Sequence, residues 1–260
     1  MKKIFLIGAA DSIGVPYSRD NKSHQGFFEM IEEELSKKYS VTTINCFHMS
    51  TNNDNQYINK IITRSISLFD IKNSQNQMLK KCKYSGIYPY IEMPKRFLNY
   101  YKEESNDKNI IIVDSIKNNE TVFIYSAFVN DLLKSKKLSL FKLLRPGRIK
   151  DELQNIEIKT ILNDLEKNIK ILISLNSNIK IYIVGLFVPT KISYIRKNLK
   201  EFILEVNKLL KEISDKYNNV IFINNDNLSS EDFNNIDFHP NKKGHEKIYE
   251  NFIQTYEEHK

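Results

Sequence analysis

The chain has 260 residues, 41% of them hydrophobic and 27% charged, with a formal charge of +7 at pH 7. That length supports one sizeable α/β domain, or two small ones, with a substantial core, and no stretch nears the roughly 18 uninterrupted apolar residues of a membrane span. The excess of lysine is scattered over polar helix faces rather than gathered into a stripe, so no nucleic-acid partner is expected.

The first element in chain order is "KIFLIG", a short β-branched and aromatic run that reads as a buried strand. Lys2 and Lys3 precede the apolar run from Ile4, but that run is too short for a signal-peptide core, and a cytoplasmic location is expected. Phe27, Phe28, Ile31 and Leu35 follow at helical spacing, then "SVTTINCF" as a second strand and "NQYINKIITRSISLF" as a helix. "NIIIV" at 109–113 fits either a strand or part of a helix. "ETVFIYSAF" is a strong buried strand.

Residues 152–176 carry Ile158, Ile161, Leu162, Leu165, Ile169 and Leu172 on one helical stripe. "IKIYIVGLF" is a further strand. Residues 194–217 form a long amphipathic helix through Leu199, Phe202, Val206, Leu209, Leu210 and Ile213. "NVIFIN" is the last strand, and an amphipathic helix runs from Lys243. Strands separated by helices of this length pair in parallel through right-handed crossovers, with helices on both faces of the sheet.

There is no internal repeat and no Pro-, Gly- or Ser-rich linker, so residues 1–260 are read as one domain. Segments 70–108 and 132–151 break the alternation. The first carries Tyr84, Tyr88, Tyr90, Phe97, Tyr100 and Tyr101. Both follow strand ends, where an open α/β sheet binds its ligand, and read either as cap or lid insertions or as longer surface segments. Cys46 and Cys82 make neither a disulfide framework nor a metal-ligand pattern.

Three stretches carry chemistry. "GAADSIG" puts Ser12 directly after the first strand, a location suited to a nucleophile, though a serine there also serves as a plain helix cap. "NIDFHPNKKGHEKIYENF" puts His239 between the last strand and the last helix, with Pro240 fixing the backbone behind it and Gly244 permitting the turn into the helix. Loops after parallel strands cluster at one sheet edge, which brings His239 towards Ser12 as the base that a serine hydroxyl needs. "FVNDL" puts Asn130 after the strongest strand, where its amide can donate to a developing oxyanion.

These blocks resemble those of the SGNH (GDSL-type) hydrolase superfamily: "GAADSIG" is similar to its first block, "FVNDL" to its Gly-x-Asn-Asp block and "DFHPNKKGH" to its last. The matches span the chain from beginning to end. The resemblance implies a three-layer α/β/α sandwich, flavodoxin-like with a mostly parallel sheet, and hydrolysis of an acyl ester without metal or cofactor. The substrate expected is a small-molecule or lipid ester. Ser12 would be the nucleophile and His239 the base. The oxyanion would be held by the Ser12 N–H, Asn130 and a second-block N–H, for which Ser50 is the best positional match.

The chain departs from the family pattern at three places. No glycine lies between Gly26 and Gly86 to serve the second block, and Phe128 stands where the third block has glycine. The family's acid usually stands three positions before the histidine. Here Ile236 is there and Asp237 is two before, so either Asp237 or another acceptor orients the ring. His48 falls in the second-block loop and borders the expected site, with Asp11 and Phe128; Asp11 and Asp131 are read as loop braces. His245 is read as a packing or capping residue. An acyltransferase using the same Ser-His pair, and a binding protein that has lost catalysis, remain alternatives.

Overall fold

The computed structural model describes residues 2–8, 25–45, 59, 62–63, 112–126, 157–187, 197–233 and 240–260. The elements are β1 (Lys3–Gly8), α1 (Phe27–Leu35), β2 (Ser40–Asn45), α2 (Ile112–Asn118), β3 (Thr121–Ser126), α3 (Glu157–Leu175), β4 (Lys180–Val184), α4 (Lys197–Ser214), β5 (Val220–Ile223) and α5 (Lys242–His259). A single 3-10 turn, Ser230–Asp232, lies between β5 and α5. The strands form one sheet in the order β2-β1-β3-β4-β5, every neighbouring pair parallel.

The core explains the layers. Successive strand residues point to opposite faces. On one face Phe5, Ile7, Phe123, Tyr125, Ile181 and Ile183 pack with Ile116 of α2, Leu162, Leu165, Ile169 and Leu172 of α3, and Val206, Leu210 and Ile213 of α4. On the other, Ile4, Leu6, Val122, Ile124, Tyr182 and Val184 pack with Phe27, Phe28 and Ile31 of α1 and Ile248, Phe252 and Tyr256 of α5. Helices therefore cover both faces, and the fold is a three-layer α/β/α sandwich. Strands buried on both sides read as continuous apolar runs, which is why β1, β3 and β4 stand out in the sequence.

Three details go beyond the sequence reading or differ from it. The ambiguous 109–113 run enters α2, with helix from Ile112 to Asn118. The helix expected over 194–217 ends at Ser214, where the Ser214 hydroxyl donates to the Lys211 carbonyl and Tyr217 turns back to donate its hydroxyl to Glu166 at 2.8 Å. Leu175 ends α3, and the Asn176 amide beyond it donates to the carbonyls of Ile116 and Asn119, both at 2.8 Å, tying α3 to α2. Asn59, Ile62 and Thr63 are helical, as the 55–69 pattern suggests, and Ile62 is buried in the first core. The expected insertions at 70–108 and 132–151 lie outside the described residues.

Candidate active site

The parallel register assembles one edge of the sheet. Gly8 at the end of β1 is the Cα partner of both Asn45, which ends β2, and Ser126, which ends β3. The first, second and third blocks leave the sheet from this one row, and the last block, with His239, follows β5. Asp11 and Ser12 lie three and four residues beyond Gly8, His48 and Ser50 three and five beyond Asn45, and Phe128 and Asn130 two and four beyond Ser126. An extended residue spans at most ~3.6 Å, so each block starts within a short reach of the other two. Those six residues, with Asp237 and His239, lie outside the described residues.

Residues on both sides of the His239 segment are described. Phe233 and Pro240 form an isolated antiparallel bridge, which closes residues 234–239 at their base. Asn241 N–H donates to the Asp232 carbonyl at 2.9 Å. The Asn241 amide nitrogen donates to the carbonyls of Glu231 at 2.7 Å and Phe233 at 3.3 Å, while its oxygen caps α5 by accepting from Gly244 N–H at 3.1 Å. Phe233 packs its ring on Phe187 just past β4, centroids 5.8 Å apart. The Asn225 amide, just past β5, donates to the Gly185 carbonyl at 2.9 Å and accepts from Asn251 of α5 at 3.0 Å. The exits of β4 and β5 are thus tied to α5.

Gly244 serves a purpose other than the turn expected of it. It sits inside the first turn of α5, and a Cβ there would collide with the Asp232 carbonyl oxygen and stand 3.0 Å from Pro240 Cβ. Close approach, rather than an unusual backbone angle, demands the glycine.

His245 is buried, as its packing role implies. Its Nδ1 accepts the N–H of Phe27 at 3.2 Å, and the two rings stack with centroids 5.9 Å apart. An accepting Nδ1 puts the proton of the neutral ring on Nε2. This contact joins the first turn of α1, which follows the Ser12 segment, to the first turn of α5, which follows the His239 segment.

Sequence reasoning missed Asp232. Its side chain is fully buried, and Oδ2 meets Lys247 Nζ at 2.7 Å, Ser229 N–H at 2.7 Å and Ser229 Oγ at 3.1 Å. Burial raises the carboxyl pKa, but the Lys247 ammonium and the two Ser229 donors outweigh it and hold the group below the usual carboxylate value. Only the Ser-x-x-Asp spacing of "SSED" hints at this arrangement. Among the described residues no group of three His, Cys, Asp or Glu side chains converges to hold a metal ion, and no helix is long and apolar enough to cross a membrane.

No family model and no curated protein matches the chain. Solved structures do. The lipase Lip_vut3 from a goat rumen metagenome aligns with a TM-score of 0.52 at 14% identity, over 98% of this chain and 97% of its own. A family two carbohydrate esterase from Cellvibrio japonicus aligns at 0.49 and 10% identity, over 99% of this chain and 61% of that one. A Clostridium thermocellum family 3 carbohydrate esterase aligns at 0.47 and 10% identity, over 99% and 96% respectively. At such identities the likeness is one of fold, and the chain shares the three-layer fold of the rumen lipase.

Proposed function

We propose that the chain is a serine ester hydrolase of the SGNH type. The observation that carries this is the row Gly8, Asn45 and Ser126, from which the first, second and third blocks depart, while the last block follows β5. The fold shared with a lipase supports it, with the limit that one fold hosts many activities.

Ser12 Oγ attacks the acyl carbonyl carbon while His239 takes its proton. The oxyanion is held by the N–H groups of Ser12 and Ser50 and by the Asn130 amide. As the alkoxy C–O bond breaks, His239 returns the proton to the leaving alcohol. Water, deprotonated by His239, then attacks the acyl carbon; the bond between that carbon and Ser12 Oγ breaks, His239 returns the proton to Oγ, and the carboxylic acid leaves. Asp237 orients the ring and stabilises the imidazolium. Asp11, His48 and Phe128 border the acyl site. No step calls for a metal or cofactor.

Hydrolysis of p-nitrophenyl acetate and longer p-nitrophenyl esters tests this reading. Ser12→Ala and His239→Ala should each lower kcat by about 10³-fold or more, and Asp237→Asn by about 10²- to 10⁴-fold. Asn130→Ala should cost about 10²- to 10³-fold. Full turnover in Ser12→Ala would overturn it.

A further inference from the structure

Helix α1 begins without a capping side chain of its own. Gly26 stands at its N-cap, and the Glu29 carboxylate is engaged by the Gly26 N–H at 2.8 Å. The Phe27 N–H is one of the first-turn donors that a helix cannot satisfy internally. It is taken instead by Nδ1 of His245, from α5, at 3.2 Å. A histidine on a second helix thus does for α1 what a cap residue does elsewhere. The bond is buried, and His245 is only 1% exposed.

The two helices run side by side in the same direction. Their starts meet at Phe27 and His245. Towards their ends, Lys2 Nζ lies over the ring of Tyr39, just after α1, and over that of Tyr256 in α5, 5.4 and 5.7 Å from the centroids. Residues 36–39 lead α1 directly into the start of β2, so α1 itself starts at the carboxyl edge of the sheet, the edge where a parallel α/β sheet binds its ligand. His245 therefore stands between two helix N-termini, each carrying partial positive charge. Burial and both dipoles favour the neutral ring. The Phe27 ring stacked on it favours a cation, which offsets only part of the buried bond and the desolvation.

The charged groups of the surrounding elements have partners of their own. In α1, Glu29 holds the Gly26 N–H; in α5, Lys242 pairs with Glu246 at 3.7 Å; in the 3-10 turn, Asp232 pairs with Lys247 at 2.7 Å. Tyr249, one turn further along α5, stays protonated because burial pushes its phenol up. We propose that His245 is an acid-sensitive latch between α1 and α5. The neutral ring accepts the Phe27 N–H. A ring that takes up a proton from solvent at Nδ1 carries N–H on both nitrogens, can no longer accept, and repels the first turn of α1. Acid then frees that turn at the ligand edge of the sheet. None of this depends on Ser12 or His239.

Amide hydrogen exchange at Phe27, corrected for the intrinsic pH dependence of exchange, tests the latch. A ring held neutral when the contact is closed titrates near its ordinary value of about 6.5 once the contact opens. The contact is therefore at full strength above that pH and weakens as pH falls below it. Phe27 protection should drop about five- to tenfold between pH 7.5 and 5.5. It should remain at least about tenfold below that of Ile124 in the central strand β3, because the first turn of α1 opens by itself. His245→Asn places an uncharged amide oxygen near the position of Nδ1 and should abolish the drop. In the native protein, NMR titration of the His245 ring, identified by its contact with the Phe27 ring, should give a midpoint below about 6.5.

Phe27 protection that stays constant over this range, or that drops equally in His245→Asn, would overturn the latch. So would protection equal to that of Ile124, since α1 would then open only with the whole molecule. If His245→Asn does not fold, the native ring titration decides. A midpoint at or above about 6.5 sinks the latch, because the closed contact would then hold the imidazolium at least as well as the neutral ring.

Discussion

Asn207 shows how one polar residue on an apolar helix face holds a strand exit. Its amide accepts from Leu186 N–H at 2.8 Å and donates to the Leu186 carbonyl at 2.7 Å, both bonds buried, so the side chain acts as a short strand beyond β4. Asn207→Leu would keep the branched side-chain shape and strand two backbone groups, each costing about 1–3 kcal/mol. A fall in the midpoint of urea unfolding, with the m-value unchanged, is the expected outcome; an unchanged midpoint would mean that water or a shifted backbone replaces the amide. The sequence carries a signal for this residue, since Asn207 interrupts the stripe between Val206 and Leu210. Asp232 left no comparable trace. Its partner Lys247 is fifteen positions away, and their meeting depends on the chain folding back through the Phe233–Pro240 bridge.

At the scale of elements, the start of α5 is where capping, close packing and the candidate base coincide. Asn241 caps the helix and ties down two carbonyls of the preceding turn, and Gly244 lets that turn lie against the helix. A methyl group at Gly244 must push the 3-10 turn away, at a cost of about 1–3 kcal/mol. Gly244→Ala should therefore lower Tm and lower esterase kcat more than an exposed control such as Glu250→Ala, because the displaced turn is one foot of the His239 segment. Retention of both Tm and kcat would show that the contact yields freely. Helices and strands were legible here wherever burial was one-sided or complete: α4 shows its stripe and β3 its unbroken apolar run. Their ends were less so. Nothing periodic marks where α4 stops, which is decided by the Ser214 hydroxyl and by Tyr217 turning to Glu166. A five-residue run such as 109–113 is too short for either period to declare itself.

Across the molecule, the α1–α5 face of the sheet sets an alkaline limit on stability. Burial keeps the phenols of Tyr182 and Tyr256 well above the ordinary tyrosine pKa, with Tyr39 beside the Tyr256 hydroxyl adding to the effect. Raised folded-state values mean that this stability is fully present below the unfolded pKa of about 10 and is lost as pH rises beyond it, since only the unfolded chain then ionises. Tyr182→Phe should be close to neutral at pH 7, because that hydroxyl is buried without a hydrogen-bond partner among the described residues, and should reduce the loss of stability between pH 9 and 11. Parallel declines in both proteins would contradict it. The same architecture sets where the motif-bearing segments leave the sheet. Strand ends far apart in sequence lie side by side because the β2-β1-β3 order aligns Asn45, Gly8 and Ser126 in one row, and the segments expected to carry the site follow them.

The central claim is that Ser12 is an activated nucleophile served by His239. Treating the folded protein with a fluorophosphonate probe and mapping the adduct by peptide mass spectrometry tests it most directly. One adduct on Ser12, absent in Ser12→Ala and formed at least ten times more slowly in His239→Ala, is the expected result. No adduct in the folded native protein, or an adduct on a different residue, would contradict it.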